Sequence, residues 1–214
     1  GLGNNVVGYA TGDGVTGSYN NVFGGNAATM LSGNNNTALG ESAADFLTGA
    51  SNTVIGSGTG SYLSGSNNAL LGNAAGDYIS GDSNLALGQN SGISLSGQYN
   101  AVYGYAAGDR LSGRYNVVTG NSSGSSLSGV GNHVSGYAAA DGLTGTYNDV
   151  IGGEAGDSLS GTYNSVVGYD SGDYVSGTYN FVAGNGAGTS LSGQQNAVIG
   201  VSSADLLSGR YNAT

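Results

Sequence analysis

The sequence contains no cysteine, no proline, no tryptophan and no lysine, and its basic side chains are three arginines and one histidine. Without cysteine the chain forms no disulfide and no thiolate metal site. Thirteen acidic residues against three arginines give a net charge of −10. This acidity argues against nucleic acid and anionic membrane surfaces as partners, because both attract basic patches. No apolar run reaches the ~18–20 residues needed to span a bilayer, so we expect no direct membrane contact.

Glycine is abundant, at 44 of 214 residues, and it recurs in a strict period of sixteen. Each period carries an asparagine, with one glycine three residues before it and another four residues after it. The asparagines are Asn4, Asn20, Asn36, Asn52, Asn68, Asn84, Asn100, Asn116, Asn132, Asn148, Asn164, Asn180, Asn196 and Asn212. One unit reads L-S-G-x-Y-N-x-V-x-G-x-x-A-G-D-x, and such self-similarity is the signature of a repeat architecture.

The repeat predicts an all-β fold. Glycine at this density excludes a helix, and the alternation of Asn100, Val102 and Gly104 with Ala101 and Tyr103 predicts a short strand. A second short strand is predicted at the L-S pair of each unit. Two strands and two bends per sixteen residues describe one coil of a parallel β-solenoid. Residues 1–214 then form a single repetitive segment of about thirteen coils, stacked into a rod of roughly 60 Å.

The asparagine column is predicted to be a structural ladder. Each amide would point inward at a bend and bond to the backbone and to the asparagine of the next coil. A ligand site at fourteen identical positions is a poor alternative. The ladder residues singled out are Asn20, Asn100, Asn116, Asn148, Asn164 and Asn180.

The residue three positions after each asparagine faces outward in this pattern, yet it is mostly apolar. A strand face in contact with water would be polar, and a long exposed apolar stripe favours aggregation. We therefore expect copies of the chain to cover this stripe, the alternative being a monomer with an adhesive face. Thr119 and Ser135 interrupt it. The expected interface, called the outer stripe below, consists of Val7, Phe23, Leu39, Ile55, Leu71, Leu87, Tyr103, Ile151, Val167 and Ile199.

In most repeats an aspartate stands nine residues after the asparagine, following a pair of small residues such as A-G. Stacked carboxylates could hold calcium, but the sequence lacks the glycine- and aspartate-rich calcium-roll motif. Thr29, Ser61, Ser125 and Thr189 stand at equivalent positions, which favours hydrogen-bonding caps of turns over metal ligands. The aspartates are Asp13, Asp45, Asp77, Asp109, Asp141, Asp157, Asp173 and Asp205.

Tyrosines form two columns. The first precedes the asparagines, as at Tyr147 and Tyr163, and is predicted to be mainly structural, with protein or sugar binding as the alternative. The second follows the central glycine and is expected to be more accessible. The candidate ligand surface comprises Tyr105, Tyr137, Tyr169, Arg110 and Arg114.

Catalytic chemistry has little support. His133 is the single histidine and has no cysteine or acidic cluster nearby in sequence. Glycine-rich stretches such as 184–188 lack the lysine and helix of a phosphate-binding loop. The sequence therefore predicts no catalytic residue, no metal site, no cofactor and no enzymatic activity.

The segment "YNAVYGYAAGDRLSG" at 99–113 and its copies resemble the YadA-like head repeats of trimeric autotransporter adhesins. The repeat here is about two residues longer than the commonest family repeat, and N-x-V-x-G stands mostly where the family has S-x-A-x-G. The resemblance implies a left-handed parallel β-roll in a homotrimer, with the N-x-V-x-G strand toward the axis. It also implies a bacterial surface protein, anchored in the outer membrane by a region outside this chain, of which residues 1–214 are a piece continuing at both ends.

The expected function is therefore that of a non-enzymatic adhesin head, a stiff trimeric rod that attaches to host matrix protein, glycan or cell surfaces. A structural fibre or matrix filament without a specific ligand is the alternative. Ice binding by ordered hydroxyl ladders is a less favoured third reading, since serine and threonine mix along the L-S/T-G edge.

Overall fold

The computed structural model describes residues 1–214, which form two compact units, Gly1–Arg110 and Leu111–Thr214. In each unit a coil contributes one strand to a first sheet and one to a second sheet. All strand pairs are parallel and join residues sixteen apart, as in Val54 with Leu70 and Gly145 with Gly161. The predicted all-β parallel β-solenoid, with about thirteen coils of sixteen residues, is confirmed. No helix long and apolar enough to cross a bilayer is present.

In the N-terminal unit the two sheets alternate along the chain. The first sheet contains β1 (Asn5–Val7), β2 (Asn21–Phe23), β4 (Thr37–Leu39), β6 (Thr53–Ile55), β8 (Ala69–Leu71), β10 (Leu85–Leu87) and β12 (Ala101–Tyr103), in that order. The second contains β3 (Met30–Ser32), β5 (Phe46–Thr48), β7 (Tyr62–Ser64), β9 (Ile79–Ser80) and β11 (Ser96–Gln98).

The C-terminal unit repeats this plan. Its first sheet contains β14 (Val117–Thr119), β16 (His133–Ser135), β18 (Asp149–Ile151), β20 (Ser165–Val167), β22 (Phe181–Ala183) and β24 (Ala197–Ile199). Its second contains β13 (Ser112–Arg114), β15 (Ser128–Val130), β17 (Thr144–Thr146), β19 (Ser160–Thr162), β21 (Ser176–Thr178), β23 (Leu191–Gln194) and β25 (Leu207–Arg210).

The apolar core of a coil is small and is built from three or four side chains. In one coil these are Val150 from the first sheet, Ala155 from the turn, and Leu159 next to the second sheet, all fully buried. Serine replaces the alanine in several coils, and the hydroxyls of Ser123 and Ser171 are buried without a hydrogen-bond partner. Because the interior of a coil is filled by so few atoms, hydrogen bonds between coils carry much of the stabilisation.

Candidate functional site

The asparagine column lies inside the solenoid and uses its full hydrogen-bonding capacity. The side-chain amide of Asn148 donates to Asn132 Oδ1 and to the Gly161 carbonyl, each at 3.0 Å. Its own Oδ1 accepts from the backbone and side-chain nitrogens of Asn164, again at 3.0 Å. Asn148 is 1% exposed. The same inter-coil bonds involve the other predicted ladder residues, Asn20, Asn100, Asn116, Asn164 and Asn180. These amides have no capacity left for a ligand.

The outer stripe lies on the outward face of the first sheet in both units. Leu39 is paired with Ile55 and Ile55 with Leu71, so successive members stand directly above one another. Seven of the ten side chains are more than a third exposed, and Ile55, Leu87 and Tyr103 are half-buried. Each unit therefore presents a column of aliphatic and aromatic side chains on its surface. A sheet face in contact with water ordinarily carries polar side chains instead.

The tyrosines that precede the asparagines are stacked. The rings of Tyr147 and Tyr163 lie 5.2 Å apart between centroids at 13°, and those of Tyr163 and Tyr179 lie 5.0 Å apart at 9°. All three residues adopt positive φ, between 55° and 58°, which is unfavourable for a bulky side chain. Ring stacking offsets part of this backbone cost.

That backbone conformation was missed by the sequence reasoning, although a signal for it existed. Gly3 and Gly131 occupy the same register, as do Asn35 and Asn67. Glycine and asparagine are the residues that tolerate positive φ most readily, and their recurrence at one register indicates a left-handed position.

A further aromatic column was also missed. Phe46, Tyr62 and Tyr78 stack along the second sheet of the N-terminal unit, with centroid separations of 4.9 Å for both pairs and interplanar angles of 4° and 8°. The register is ten residues after the asparagine, where most other coils carry serine or glycine and the exceptions are Met30, Arg110, Tyr174 and Leu206. Alignment of aromatic residues at the period of sixteen is the signal that reveals it.

The exposures of the two tyrosine columns overlap, so the expectation that the second column is more accessible is not confirmed. Tyr105 and Tyr169 are 50% and 51% exposed, while Tyr147 and Tyr179 are 51% and 57% exposed. Both columns project from the outside of the coil, where the neighbouring coils cover similar fractions of each ring. Tyr137, at 59%, is the most exposed of the three candidate tyrosines.

The five candidate ligand residues do not share one column. Tyr137 and Tyr169 lie in turns after first-sheet strands, whereas Arg114 ends β13 in the second sheet. Arg110 has a side chain that is 67% exposed and lies 3.8 Å from the Asp109 carboxylate. Tyr169 donates its hydroxyl to Glu154 Oε2 at 3.1 Å, and this hydrogen bond raises the pKa of the tyrosine.

The aspartate column makes hydrogen bonds between coils rather than caps of its own turns. Asp157 and Asp173 accept from the backbone nitrogens of Asp141 and Asp157, at 3.1 and 3.4 Å. Where threonine replaces aspartate, as at Thr189, its hydroxyl donates to the next aspartate, at 3.1 Å. No group of three or more histidine, aspartate or glutamate side chains is placed to hold a metal ion.

His133 has an acidic neighbour that the linear sequence hides. Its Nδ1 lies 2.7 Å from Asp149 Oδ1, because the first sheet pairs the two residues directly. Both side chains are about half exposed, so the pair is a surface contact of the kind that contributes little to stability. Any histidine in a solenoid of known period can be checked this way, by reading the residues sixteen positions before and after it.

No family model, curated protein or solved structure matches this chain. The similarity of the repeat to YadA-like heads stays an expectation drawn from the sequence motifs.

One prediction concerns the aspartate column. Burial raises the pKa of Asp173 from 3.8 to about 6, and it raises that of Asp157 as well. A raised pKa in the folded state means that the protonated form is favoured by folding. The stabilisation is therefore present below about pH 4 and is lost as the pH rises through 6. Asp173→Asn should raise the melting temperature relative to wild type increasingly from pH 4 to pH 7, by at most about 3 °C because the carboxyl is partly solvated.

Thermal melts followed by circular dichroism at unit pH steps test this. Asp13→Asn, at the same register but with an exposed carboxyl, is the matched control and should show no such increase. An Asp173→Asn effect that shrinks as the pH rises would contradict the assignment.

Proposed function

We propose that this chain is a non-enzymatic attachment module that assembles as a homotrimer of left-handed β-rolls and binds extracellular surfaces through repeated weak contacts. The observation that carries the proposal is the outer stripe, a column of half-exposed apolar side chains stacked along the first sheet. Exposed patches of this kind mark interaction sites in soluble proteins. Three copies with their stripes turned inward would bury the column and leave the other faces free.

The free faces are suited to attachment because every outward position recurs with each coil. A partner that contacts one coil weakly can contact several in register, so that avidity replaces affinity. The two tyrosine columns and the serine and threonine residues of the second sheet supply amphipathic and hydroxyl groups for such contacts. The partners proposed are host matrix protein, glycan or cell surfaces, reached from a bacterial surface by way of an outer-membrane anchor outside this chain.

Mass in solution tests the assembly. The wild type should sediment at three times the 20.8 kDa of one chain. Leu39→Ser, Leu71→Ser and Ile151→Ser together should shift it to the mass of one chain, because they remove the apolar surface proposed to join the copies. Analytical ultracentrifugation at micromolar concentration gives both masses.

A matched control removes large exposed side chains elsewhere. Met30→Ser, Phe46→Ser and Tyr62→Ser act on the second sheet, at a register where Ser94 and Ser126 occur naturally. This variant should keep the wild-type mass. A wild type that sediments as a single soluble chain would refute the trimer.

Adhesion is tested on the second tyrosine column. Replacing Tyr105, Tyr137 and Tyr169 with serine should weaken binding to surfaces coated with matrix proteins or glycans about tenfold or more, since multivalent binding multiplies small losses. The melting temperature should stay nearly unchanged, because Ser57 stands at the same register in the native chain. Unchanged binding would remove these tyrosines from the attachment surface, and a wild type that binds no surface would favour the structural filament.

A further inference from the structure

We propose that a cleft in the C-terminal unit binds a single neutral pyranose ring, which deepens the proposed attachment function, and rests on it, by naming a ligand class. The cleft has a volume of about 310 Å³ and lies on the outer side of the second sheet. Tyr174 and Leu206 form its walls and Ser190 lies between them. These three residues share one register, ten after the asparagine, so the cleft is a gap one coil wide between two large side chains. The other members of this register in the C-terminal unit, Ser126, Gly142 and Ser158, are small.

The dimensions suit one ring. Successive coils are about 4.8 Å apart, which places the two wall residues roughly 9.6 Å from each other. At this register in the N-terminal unit, Tyr62 stacks at 4.9 Å on each of its neighbours, Phe46 and Tyr78. A ring in the cleft would have the same separation from each wall. Tyr174 lines the cleft and is 67% exposed, against 47% for the enclosed Tyr62, because serines at 158 and 190 flank it in place of rings.

The polar groups of the cleft favour a sugar over an aromatic side chain. The hydroxyls of Ser190, Ser192 and Ser208 line it and make no hydrogen bond within the protein. A pyranose offers an apolar C–H face to Tyr174 and hydroxyls at its rim to the serines, whereas a phenyl ring would leave the serines unpaired. An apolar wall with a few convergent polar groups is the common composition of small-ligand sites.

The charge around the cleft selects a neutral sugar. Asp173 and Asp205 directly precede the two walls, and Arg210 is two residues beyond Ser208 on β25. The two carboxylates outnumber the guanidinium, in a chain whose net charge is −10. Uronic and sialic acids would be repelled, so the ring proposed is an uncharged hexose.

Saturation-transfer NMR with the methyl glycosides of glucose, galactose and mannose tests the proposal on the intact chain. At least one should bind with a Kd on the order of 1–10 mM, as expected for a ligand of this size. Ser190→Tyr fills the gap between Tyr174 and Leu206 and should weaken that binding at least about tenfold, since no room for the ring remains. Ser158→Tyr adds a ring on the opposite side of Tyr174 and should leave binding unchanged. Both changes place tyrosine at the register of Tyr62 and Tyr78, so both should fold.

The proposal is overturned if none of the three glycosides gives saturation transfer, or if Ser190→Tyr binds as well as wild type. Tighter binding of methyl glucuronide would refute the charge argument, and tighter binding of N-acetyl-tyrosinamide than of every glycoside would assign the cleft to an aromatic side chain instead. A chain that adheres to surfaces but binds no glycoside refutes the cleft alone. A chain that binds a glycoside but adheres to nothing refutes the proposed function.

Discussion

Replacing Gly161 with alanine is expected to lower the free energy of unfolding by about 4 kcal/mol or more. Gly161 has φ of +132°, outside the regions open to residues with a side chain, and an added Cβ would lie 1.9 Å from the Gly177 carbonyl oxygen. The contact is with backbone, so no side-chain rotation relieves it. The coils would have to separate, and the inter-coil hydrogen bonds would break with them. Urea denaturation followed by circular dichroism gives the change.

Gly186→Ala is the matched control in the same unit. Its added Cβ would meet nothing nearer than Ser202 Oγ at 3.5 Å, and Ala138 occupies the same register at a φ of 47°. This substitution should change the free energy of unfolding by less than about 1 kcal/mol. Equal effects of the two alanines would show that composition, rather than close approach of the coils, explains the glycine column.

Replacing Asn148 with alanine is expected to cost about 3–5 kcal/mol, the second largest effect. The change removes both N–H donors of a buried amide and the oxygen that accepts two hydrogen bonds from Asn164. The Gly161 carbonyl and the Asn164 backbone nitrogen are then left without their partners inside the solenoid. Each buried group that loses its partner costs about 1–3 kcal/mol.

Two further variants separate hydrogen bonding from simple truncation. Asn148→Asp keeps the size but turns an acceptor toward Asn132 Oδ1 and the Gly161 carbonyl, so it should destabilise at least as much as alanine. Asn185→Ala removes an exposed amide in the same unit and should have little effect. An Asn148→Asp variant as stable as wild type would contradict the ladder.

Much of the fold followed from the period. Parallel strands join residues sixteen apart, so the spacing that predicts a strand around Val102 also predicts its pairing with Ala86 and the register of every other pair. The buried positions followed from the same reasoning, since apolar residues recur every sixteen positions at the registers of Val150 and Leu159. Non-repetitive folds do not permit this, because their strand partners are unrelated in sequence.

The candidate site was less predictable. The residues of the outer stripe could be predicted because successive side chains along a strand point alternately inward and outward. The left-handed conformation of Tyr163 and the column from Phe46 to Tyr78 could not be recognised from one sixteen-residue repeat. Both emerge only when the sequences of the repeats are aligned. The aspartates were predicted as hydrogen-bonding caps of turns, and the hydrogen bonds of Asp157 and Asp173 run to the backbone of the adjacent coil, which one repeat alone does not contain.

The sequence by itself determined the architecture, the pairing register and the interior of this protein. In a strictly periodic sequence every repeat has the same backbone and burial preferences as the repeats it pairs with. The tertiary structure alone decided which surface atoms meet. His133 reaches Asp149 and the cleft opens over Ser190 because neighbours in space are sixteen residues apart in sequence, and because side-chain direction depends on backbone angles that no single repeat reveals.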